Sequence, residues 1–430
     1  MNPLYRNDRP GTFPPSYYAA TADIPLERPA LDGDTRVDVA IVGAGFTGLS
    51  TALHAAKRGL SVAVVDAHRV GFGASGRNGG QAGSAWNKDQ IWLEKRVGLD
   101  DARKLWDLTV EAKALTRELV AAHAPEAGFK PGVFHGAWDA AGVDDLKGIA
   151  DHLASNYDYP SELITGDAVQ EVVRSPFYTG GVLDMDAGHL HPLRYVLGLA
   201  RAAEAAGATI YERTEATEIA NGVITTPKGT ITADTVVLAG NGYLPDLHDR
   251  VSSRVMPINS FIAATEPLGD RAADVLPRDV AVADDKFVVN YFRLSEDKRL
   301  LFGGRENYGI GFPADILTAL RARMERLFPQ LKGVGIDYHW GGTLGITMTR
   351  LPLVRRLDDK TIVAGGFSGH GVAITTLVGK IIAEAIAGDE ARLNLLGKLP
   401  VSQFPGGKHV RAPLLTLAMT WFSLRDRLGL

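Results

Sequence analysis

The glycines at positions 43, 45 and 48 have the spacing G-x-G-x-x-G, within the segment "VAIVGAGFTGLS". At this spacing the first glycine permits a tight turn, the second lets the backbone approach a pyrophosphate, and the third lets a helix pack closely on a strand. The peptide N–H groups at the start of that helix would face the phosphates. The pattern predicts a dinucleotide site at Gly43, Gly45 and Gly48, with a purely structural turn as the alternative.

The flanking residues form the elements that this motif needs. Residues 37–42 are a continuous apolar run, typical of a buried parallel strand, and a helical pattern follows the glycines up to Gly59. A second apolar run ends in Asp66, where a carboxylate can accept hydrogen bonds from ribose hydroxyls. The segment is therefore predicted to be a βαβ unit that binds either a nicotinamide or a flavin dinucleotide.

The next segment, "GFGASGRNGGQ" at residues 71–81, contains five glycines and no helical period. A nicotinamide dehydrogenase would continue from its second strand into another helix, whereas this chain enters a loop that lacks side chains at Gly79 and Gly80. Such bare main chain can lie flat against a ring system. The loop is predicted to contact a flavin, and a flexible surface connection is the alternative.

Two later strands also end in glycine. A β-branched run precedes Gly240 and another precedes Gly366, and the second leads into a helix that starts near Gly371. Because ligands collect beyond the carboxyl ends of parallel strands, three such ends would converge on one elongated ligand. FAD fits this arrangement better than a nicotinamide cofactor does.

Composition excludes several other kinds of site. The chain has 430 residues, with 46 basic and 50 acidic side chains and no cysteine, so disulfides, iron–sulfur clusters and a cysteinyl flavin are excluded. The balanced charge gives no sign of a nucleic-acid surface. The longest glycine-free apolar stretch, residues 412–424, is shorter than the roughly 20 residues that cross a bilayer. A cytoplasmic protein with small-molecule partners and no metal is expected, and its oligomeric state stays open.

The order of the elements predicts an α/β protein with a discontinuous, Rossmann-like FAD-binding domain of the glutathione reductase type and a second, mixed α+β substrate domain. The FAD-binding domain is assembled from three segments, residues 36–90, 161–250 and 340–395. The substrate domain consists of two inserted segments, residues 91–160 and 251–339, and the first of them is predicted to be mainly helical. The ends are expected to form an extended N-terminal arm, residues 1–35, and a tail with a terminal helix, residues 396–430.

These motifs, together with "GHLHPL", "VVLAGNGYL", "GFSGHGV" and the ending "SLRDRLG", resemble the FAD-dependent D-amino-acid oxidase and glycine oxidase superfamily over nearly the whole chain. Within it, the resemblance is to the gamma-glutamylputrescine oxidases. It implies an extended FAD, with the pyrophosphate at the helix after Gly43 and the adenosine ribose on Asp66. The cofactor-binding residues that it implies are Gly43, Gly45, Phe46, Thr47, Gly48, Asp66, Ala67, Ala74, Ser75, Arg77, Asn78, Gly79, Gly80, Gln81, Ala216, Ala239, Gly240, Gly366, Ser368, Gly369, His370, Gly371 and Val372.

Three of these residues carry further expectations. The main-chain amides of Gly79 and Gly80 would reach the edge of the flavin ring, where a side chain would hold them away. Arg77 would meet a phosphate or the carbonyl edge of the ring, with a solvent-facing salt bridge as the alternative.

The candidate catalytic residues are His370, Tyr291, Trp340, Arg305 and Arg350. His370 would bond the flavin, adjust the proton of the amine or meet the substrate, or else be a satisfied histidine at a helix start. Tyr291 and Trp340 would form aromatic walls of the substrate cavity or belong to the core. Arg305 and Arg350 would bind a substrate carboxylate or lie on the surface.

The predicted function is oxidation of the C–N bond of a small amine or amino acid, such as gamma-glutamylputrescine, by hydride transfer to flavin N5 with O2 as the acceptor. One alternative is a D-amino-acid or sarcosine-type dehydrogenase that uses another electron acceptor. The other is a non-catalytic nucleotide-binding protein with the same fold. A histidyl link to the flavin also stays open.

Overall fold

The computed structural model describes residues 4–244, 247–286, 288–307 and 311–405, without the side chains of residues 305–307. Most of the predicted tail, including its terminal helix, lies outside the described residues. Among those residues, no helix is both long and apolar enough to span a membrane.

The helices and strands are numbered separately in chain order. The helices are α1 (Tyr17–Thr21), α2 (Phe46–Ala56), α3 (Gln90–Val97), α4 (Leu99–His123), α5 (Ala140–Tyr157), α6 (Pro192–Ala205), α7 (Asp249–Ser252), α8 (Leu317–Leu327), α9 (Val372–Ile386) and α10 (Ala391–Gly397). The strands are β1 (Thr35–Val42), β2 (Val62–Val65), β3 (Gln81–Ala82), β4 (Lys130–Ala137), β5 (Glu162–Thr165), β6 (Gly180–His189), β7 (Thr209–Tyr211), β8 (Glu218–Ala220), β9 (Val223–Thr226), β10 (Gly229–Leu238), β11 (Met256–Thr265), β12 (Ala281–Asp284), β13 (Tyr291–Leu294), β14 (Leu300–Asn307), β15 (Ile336–Ile346), β16 (Leu353–Asp358) and β17 (Thr361–Gly365).

The first sheet has the order β16-β17-β10-β1-β2-β7. Its β17, β10, β1, β2 and β7 are parallel, because each neighbouring pair of them pairs in parallel register. The unit β1-α2-β2 is the predicted βαβ motif, and the hairpin β8-β9 joins β10 as an antiparallel addition. The Rossmann-like part of the predicted fold is confirmed.

Helix packing on this sheet is close because small residues lie where the helices cross. Every residue of α2 is buried, although a surface helix normally exposes one face. At Gly379 on α9, a Cβ atom would lie 2.6 Å from both Ser50 Cβ and the Thr47 carbonyl oxygen on α2. The two helices can therefore approach each other only because Gly379 has no side chain.

The second sheet has the order β15-β11-β14-β13-β12-β4-β6-β3, with β5 beside β6. Five of its strands differ from the predicted segments. Three of them, β3, β5 and β6, lie within segments that were assigned to the FAD-binding domain, and β15 crosses the boundary at residue 340. Strand β4 interrupts residues 91–160, which were expected to be mainly helical. Hydrogen bonds between distant strands decide which sheet a strand joins, and the local pattern of a segment does not contain that information.

The N-terminal segment is docked on the molecule and is not simply an extended arm. It contains α1, whose Tyr17 and Tyr18 are buried in the same hydrophobic core as the first sheet. The ring of Tyr18 packs edge-on against His191 and Trp340, with ring centroids 4.8 Å and 5.1 Å away. Burial of two aromatic side chains stabilises this docking.

Candidate active site

A cleft lies beyond the carboxyl ends of β1, β2 and β10 and beside the start of α9. It encloses about 910 Å³, part of which is open to solvent. Many of the predicted cofactor residues line it together: Gly43, Gly45, Phe46, Thr47, Asp66, Ala67, Ala74, Ser75, Ala216, Ala239 and Gly240. Residues that the sequence did not single out also line it: Leu4, His68, Phe72, Thr214, Tyr243 and Thr375. Distant strand ends therefore do converge on one elongated cleft.

The glycine turn at the base of the cleft needs glycine for two separate reasons. Gly43 has a φ of +110°, which L side chains rarely adopt, and a Cβ there would lie 2.9 Å from the Ala239 carbonyl group. A Cβ at Gly48 would overlap the carbonyl oxygen of Gly43. Gly48 therefore lets α2 pack on the turn, as predicted, and it does not line the cleft. At Gly45, a Cβ would lie 2.7 Å from the hydroxyl of Ser75.

Asp66 lies at the end of β2, where the sequence predicted a ribose-binding carboxylate. One carboxylate oxygen accepts a hydrogen bond from the Ala44 amide at 2.8 Å, and the other accepts one from the His68 amide at 2.8 Å. Burial raises the pKa of Asp66 to about 6, against the effect of these two amides. Because a carboxylate oxygen accepts more than one hydrogen bond, Asp66 retains capacity for ligand hydroxyls.

Arg77 is buried, so the predicted solvent-facing salt bridge is wrong. Its Nη1 donates to both carboxylate oxygens of Asp8, at 3.0 and 2.9 Å, and its Nε donates to the Phe72 carbonyl oxygen at 2.6 Å. The guanidinium also lies over the ring of Phe72, 4.4 Å from the centroid. Its buried Nη2 has no hydrogen-bond partner within the part of the chain that the structure describes. That donor fits an acceptor group on a bound cofactor.

The N-terminal segment closes one end of the cleft through His68. The imidazole contacts the Leu4 carbonyl oxygen at 2.8 Å and the Gly11 amide at 3.1 Å, one with each ring nitrogen. Its ring stacks on Phe72 with 3.8 Å between centroids. The Tyr5 hydroxyl donates to Glu215 at 2.6 Å. Sequence reasoning missed this closure, because nothing local indicates where an N-terminal segment will dock.

The loop after Arg77 is held by hydrogen bonds within the protein. The Asn78 amide group donates to the Ala74 and Ser75 carbonyl oxygens, and its Oδ1 accepts from the Gly80 amide at 2.7 Å. The Gly80 amide, which was expected to reach the flavin edge, is thus already used within the loop. A Cβ at Gly80 would overlap the Leu190 carbonyl oxygen. Gly80 is therefore needed for packing.

The other side of this loop rests on the second sheet. The side-chain amide of Gln81 donates to the Val282 carbonyl oxygen at 2.9 Å. Buried Arg293 donates from Nε to the Gly79 carbonyl oxygen at 2.8 Å and from Nη2 to that of Leu190 at 2.9 Å. The loop therefore connects the two sheets, and any flavin contact by Gln81 or Gly79 stays a prediction.

A row of side chains crosses the second sheet and faces this loop. Because directly paired residues on neighbouring strands share a face, the register places seven residues on one side of the sheet. They are, from β6 to β15, Val182, His135, Ala283, Tyr291, Gly303, Ile262 and Trp340. We call this set the transverse row.

Two predicted residues in the transverse row point to the loop. A Cβ at Gly79 would lie 2.8 Å from the ring of Tyr291, and Trp340 Nε1 donates to the Arg77 carbonyl oxygen at 3.0 Å. Tyr291 is half-buried, which is compatible with a cavity wall. Trp340 is buried in the main hydrophobic core, as the second of its two predicted roles, that of a core residue, requires.

The last glycine loop lies at the start of α9. Gly366, Ser368 and Gly369 all have positive φ angles, of +73°, +55° and +85°, so the chain turns sharply before Gly371 and Val372. His370 is half-buried, and its Nε2 lies 2.9 Å from the Ser84 carbonyl oxygen. Burial lowers the pKa of His370, so its imidazole is neutral near pH 7. These residues do not line the cleft described above.

Of the two predicted arginines, the structure describes Arg350 in full and Arg305 only by its backbone. The backbone of Arg305 pairs with Phe261 in β14, and its side chain lies outside the described part of the structure. Arg350 lies in the turn between β15 and β16, with a φ of +64°, and its amide donates to the Thr347 carbonyl oxygen at 3.2 Å. Its role in binding a carboxylate stays a prediction.

Sequence reasoning missed a buried polar cluster behind the loop. The Lys113 ammonium group on α4 donates to Ser84 Oγ and to Asp186, each at 2.6 Å, and also to the Tyr159 hydroxyl. Asp184 accepts hydrogen bonds from Ser84 at 2.5 Å and Tyr159 at 2.8 Å. The signal available in the sequence was a lysine within the apolar face of a long helix. Over the ranges described, no group of His, Asp and Glu side chains could hold a metal ion.

Comparison with known proteins agrees with this architecture. The chain is 38% identical over 419 residues to the gamma-glutamylputrescine oxidoreductase of Escherichia coli (strain K12), covering 96% of this chain and 98% of that protein. Its fold is similar to the crystal structures of glycine oxidase from Bacillus cereus ATCC 14579 and from Geobacillus kaustophilus, each with a TM-score of 0.70. They share 21% and 24% sequence identity with this chain, cover 86% and 83% of it, and are themselves covered over 99% and 98%.

The family assignment rests on most of the chain. Residues 38–385 match the family model DAO, described as FAD dependent oxidoreductase. This span includes the glycine turn, the cleft, the transverse row and α9. The chain therefore belongs to the DAO family of FAD-dependent oxidoreductases, and its cofactor is FAD.

Proposed function

We propose that this enzyme oxidises the C–N bond of a small, gamma-glutamylputrescine-like amine, with O2 as the electron acceptor and in the cytoplasm. The observation that carries the proposal is the 38% identity, over nearly the full length of both chains, to a gamma-glutamylputrescine oxidoreductase. Bound FAD would supply the two-electron acceptor for the hydride leaving the carbon next to nitrogen. The protein has to bind, orient and desolvate the substrate.

The residues of the cleft fit the nucleotide half of FAD. The turn at Gly43 and the N–H groups that begin α2 suit a pyrophosphate, and Asp66 suits the ribose hydroxyls. The unpaired Nη2 of Arg77 would donate to an acceptor at the far side of the loop. These groups already have the positions that binding requires, so binding costs little reorganisation.

The loop at residues 77–85, the start of α9 and the transverse row would enclose the reacting groups. Half-buried Tyr291 and His370 approach the loop from the second sheet and from the start of α9. The N-terminal end of α9 carries a partial positive charge, which stabilises negative charge that develops nearby during reduction. Aromatic Tyr291 suits the alkyl chain of an amine.

The proposal is tested by mixing purified protein anaerobically with a panel of amines and amino acids and following the flavin absorbance. Loss of that absorbance with gamma-glutamylputrescine, and faster than with D-amino acids or sarcosine, is the expected result. Hydrogen peroxide formed in air, one per substrate consumed, identifies O2 as the acceptor. Bleaching without peroxide would indicate a dehydrogenase, and no bleaching with any compound would indicate a non-catalytic protein.

A further inference from the structure

We infer that His135 is a further catalytic residue, which takes the proton from the substrate ammonium group before oxidation. The inference rests on the proposed function, since it concerns an amine in the same site. Nothing in the sequence pattern singled out His135, which lies within a segment expected to be mainly helical. Its position became visible only from the register of the second sheet.

The register places His135 beside the reacting groups. His135 on β4 pairs with Ala283, which pairs with Tyr291, so His135 and Tyr291 share the face that looks towards the loop. Ala283 between them has a small side chain and is half-buried. His135 is half-buried, and neither of its ring nitrogens has a hydrogen-bond partner among the residues that the structure describes. Within the described part of the chain, the imidazole is thus partly exposed and its ring nitrogens are not used in hydrogen bonds.

The groups around His135 suit temporary storage of a proton. Asp184 on β6 pairs with Val133, two residues from His135, and is therefore its diagonal neighbour on the same face. Asp184 is held by Ser84, by Tyr159 and by the amides of residues 186 and 187. This carboxylate would stabilise an imidazolium at His135.

Burial lowers the pKa of His135, while the charge of Asp184 raises it and the charge of His370 lowers it further. His135 is therefore neutral near pH 7 and ready to accept a proton. Behind Asp184, Lys113 and Arg117 both donate to Asp186, whose single negative charge offsets one of their two positive charges, and Lys113 also lies within the field of Asp184.

The other histidine in this region is less suited to the task. The Nε2 of His370 contacts the Ser84 carbonyl oxygen at 2.9 Å, and the carbonyl group of Ala85 also interacts with this imidazole. A neutral imidazole has one N–H group, and in His370 the hydrogen bond to the Ser84 carbonyl oxygen uses it to hold the loop. His370 is therefore a positioning residue for the loop, whereas His135 has a nitrogen available as a base.

The proton transfer balances as follows. The ammonium group loses one proton to a ring nitrogen of His135, which becomes an imidazolium, and the substrate nitrogen regains its lone pair. The lone pair would then support oxidation at the adjacent carbon, for which bound FAD would supply the electron acceptor. The imidazolium afterwards releases its proton to water, so that neutral His135 is restored.

The first test is the pH dependence of kcat/KM for His135→Asn, using the best amine from the panel. We expect a loss of about 100-fold at pH 7, within the range typical of a positioned base, and a recovery towards wild type as the pH approaches the amine pKa near 10. His339→Asn is the matched control, since exposed His339 lies next to Trp340 on the same sheet and faces the opposite side. An unchanged profile for His135→Asn would overturn the inference.

The second test does not depend on turnover. A competitive amine without a hydrogen on the carbon next to nitrogen is titrated against the holoenzyme, and binding is followed by the change in flavin absorbance. The absorbance change is recorded at saturating amine across a range of pH. In the wild type His135 shares the proton of the bound amine, so the change that marks the neutral amine should appear at a lower pH than in His135→Asn. The same midpoint pH in both proteins would contradict the inference.

The outcomes separate this inference from the proposed function. If no amine bleaches the flavin or perturbs its spectrum, the proposed function fails. If amines are oxidised and His135→Asn behaves like the wild type, only the role of His135 fails. The FAD content of His135→Asn is measured in both experiments, and His135→Gln is used if the first variant loses FAD.

Discussion

The two sides of the candidate active site are built in different ways. The base of the nucleotide cleft depends on residues that are close in the sequence, because Gly43 and Gly48 form one turn and Asp66 accepts hydrogen bonds from the amides of Ala44 and His68, while distant strand ends complete its walls. The transverse row instead draws one residue from each of seven strands, from residue 135 to residue 340. The turn that begins the cofactor cleft is thus a local motif, whereas the proposed substrate side depends on strand register. The following predictions test this contrast.

The largest expected effect is on the local motif. Gly48→Ala would place a Cβ against the carbonyl oxygen of Gly43, and we expect the free energy of unfolding to fall by about 4 kcal/mol and most of the FAD to be lost. Thermal unfolding and the ratio of flavin to protein absorbance measure both effects. Gly148→Ala, in α5 with nothing near its Cβ position, is the matched control and should be neutral or slightly stabilising. Equal behaviour of the two variants would refute the packing role of Gly48.

The next effect concerns the N-terminal segment that joins the two sides. Asp8→Asn removes the charge that pairs with buried Arg77, and breaking such a pair costs about 3 kcal/mol. We also expect faster dissociation of FAD, measured by the recovery of flavin fluorescence after dilution. Exposed Asp32 in the same segment gives the control Asp32→Asn, which should match the wild type. Unchanged FAD release in Asp8→Asn would show that this segment does not retain the cofactor.

A third prediction compares the two sheets through buried histidines. Burial lowers the pKa of His54 on α2 to about 4 and that of His189 on β6 to about 3, from an ordinary value of 6.5. The unfolded chain therefore binds these protons more tightly, and the stability contributed by each neutral imidazole is complete above pH 6.5 and lost as the pH falls towards the folded-state values. Relative to its value above pH 6.5, the free energy of unfolding at pH 5 should be lower by about 2 kcal/mol for each of the two histidines.

Denaturant unfolding of His54→Gln and His189→Gln at pH 7 and pH 5 measures these contributions. Each variant should lose less stability between the two pH values than the wild type does. Asp66 and Asp284, whose pKa values are both raised to about 6 by burial, are present in all three proteins, so their opposite contribution cancels in the comparison. A difference for only one histidine would mean that the two sheets do not unfold as one unit.

The smallest expected effect lies in the transverse row. Tyr291→Ala removes the ring beside Gly79, and we expect KM to rise about tenfold, or about 1.4 kcal/mol, while the FAD content stays near the wild-type value. Tyr291→Phe keeps the ring and should change KM by less than about threefold. Loss of FAD in Tyr291→Ala would place this ring on the cofactor side of the site.

Prediction from the sequence succeeded where neighbouring residues decide the structure. The turn between β1 and α2 lies at Gly43, as predicted, with a φ of +110°. Helix α2 ends three residues before Gly59, as predicted, and Gly59 has a φ of +82°. Each of these boundaries is set by the conformational preference of one or two residues.

Prediction failed where distant segments meet. The alternative that Arg77 faces solvent was wrong, because it is buried and most of its donors bind Asp8 and two carbonyl oxygens, while its contact with a ligand stays a prediction. The amide of Gly80 was assigned to the flavin, yet Asn78 accepts its hydrogen bond. His135 received no role. In each case the missing information was which side chain from elsewhere in the chain would arrive at the same place.

The amino-acid sequence by itself determined the βαβ unit, its glycine turn and the carboxylate at Asp66, because these depend on short-range sterics and on the hydrogen bonds of adjacent residues. Only the tertiary structure decided which strands form the second sheet, which residues share the transverse row, and that His135 lies in it. The physical reason is that a shift of one residue in strand register turns every side chain to the opposite face, and register is set by pairing between strands that are far apart in the chain.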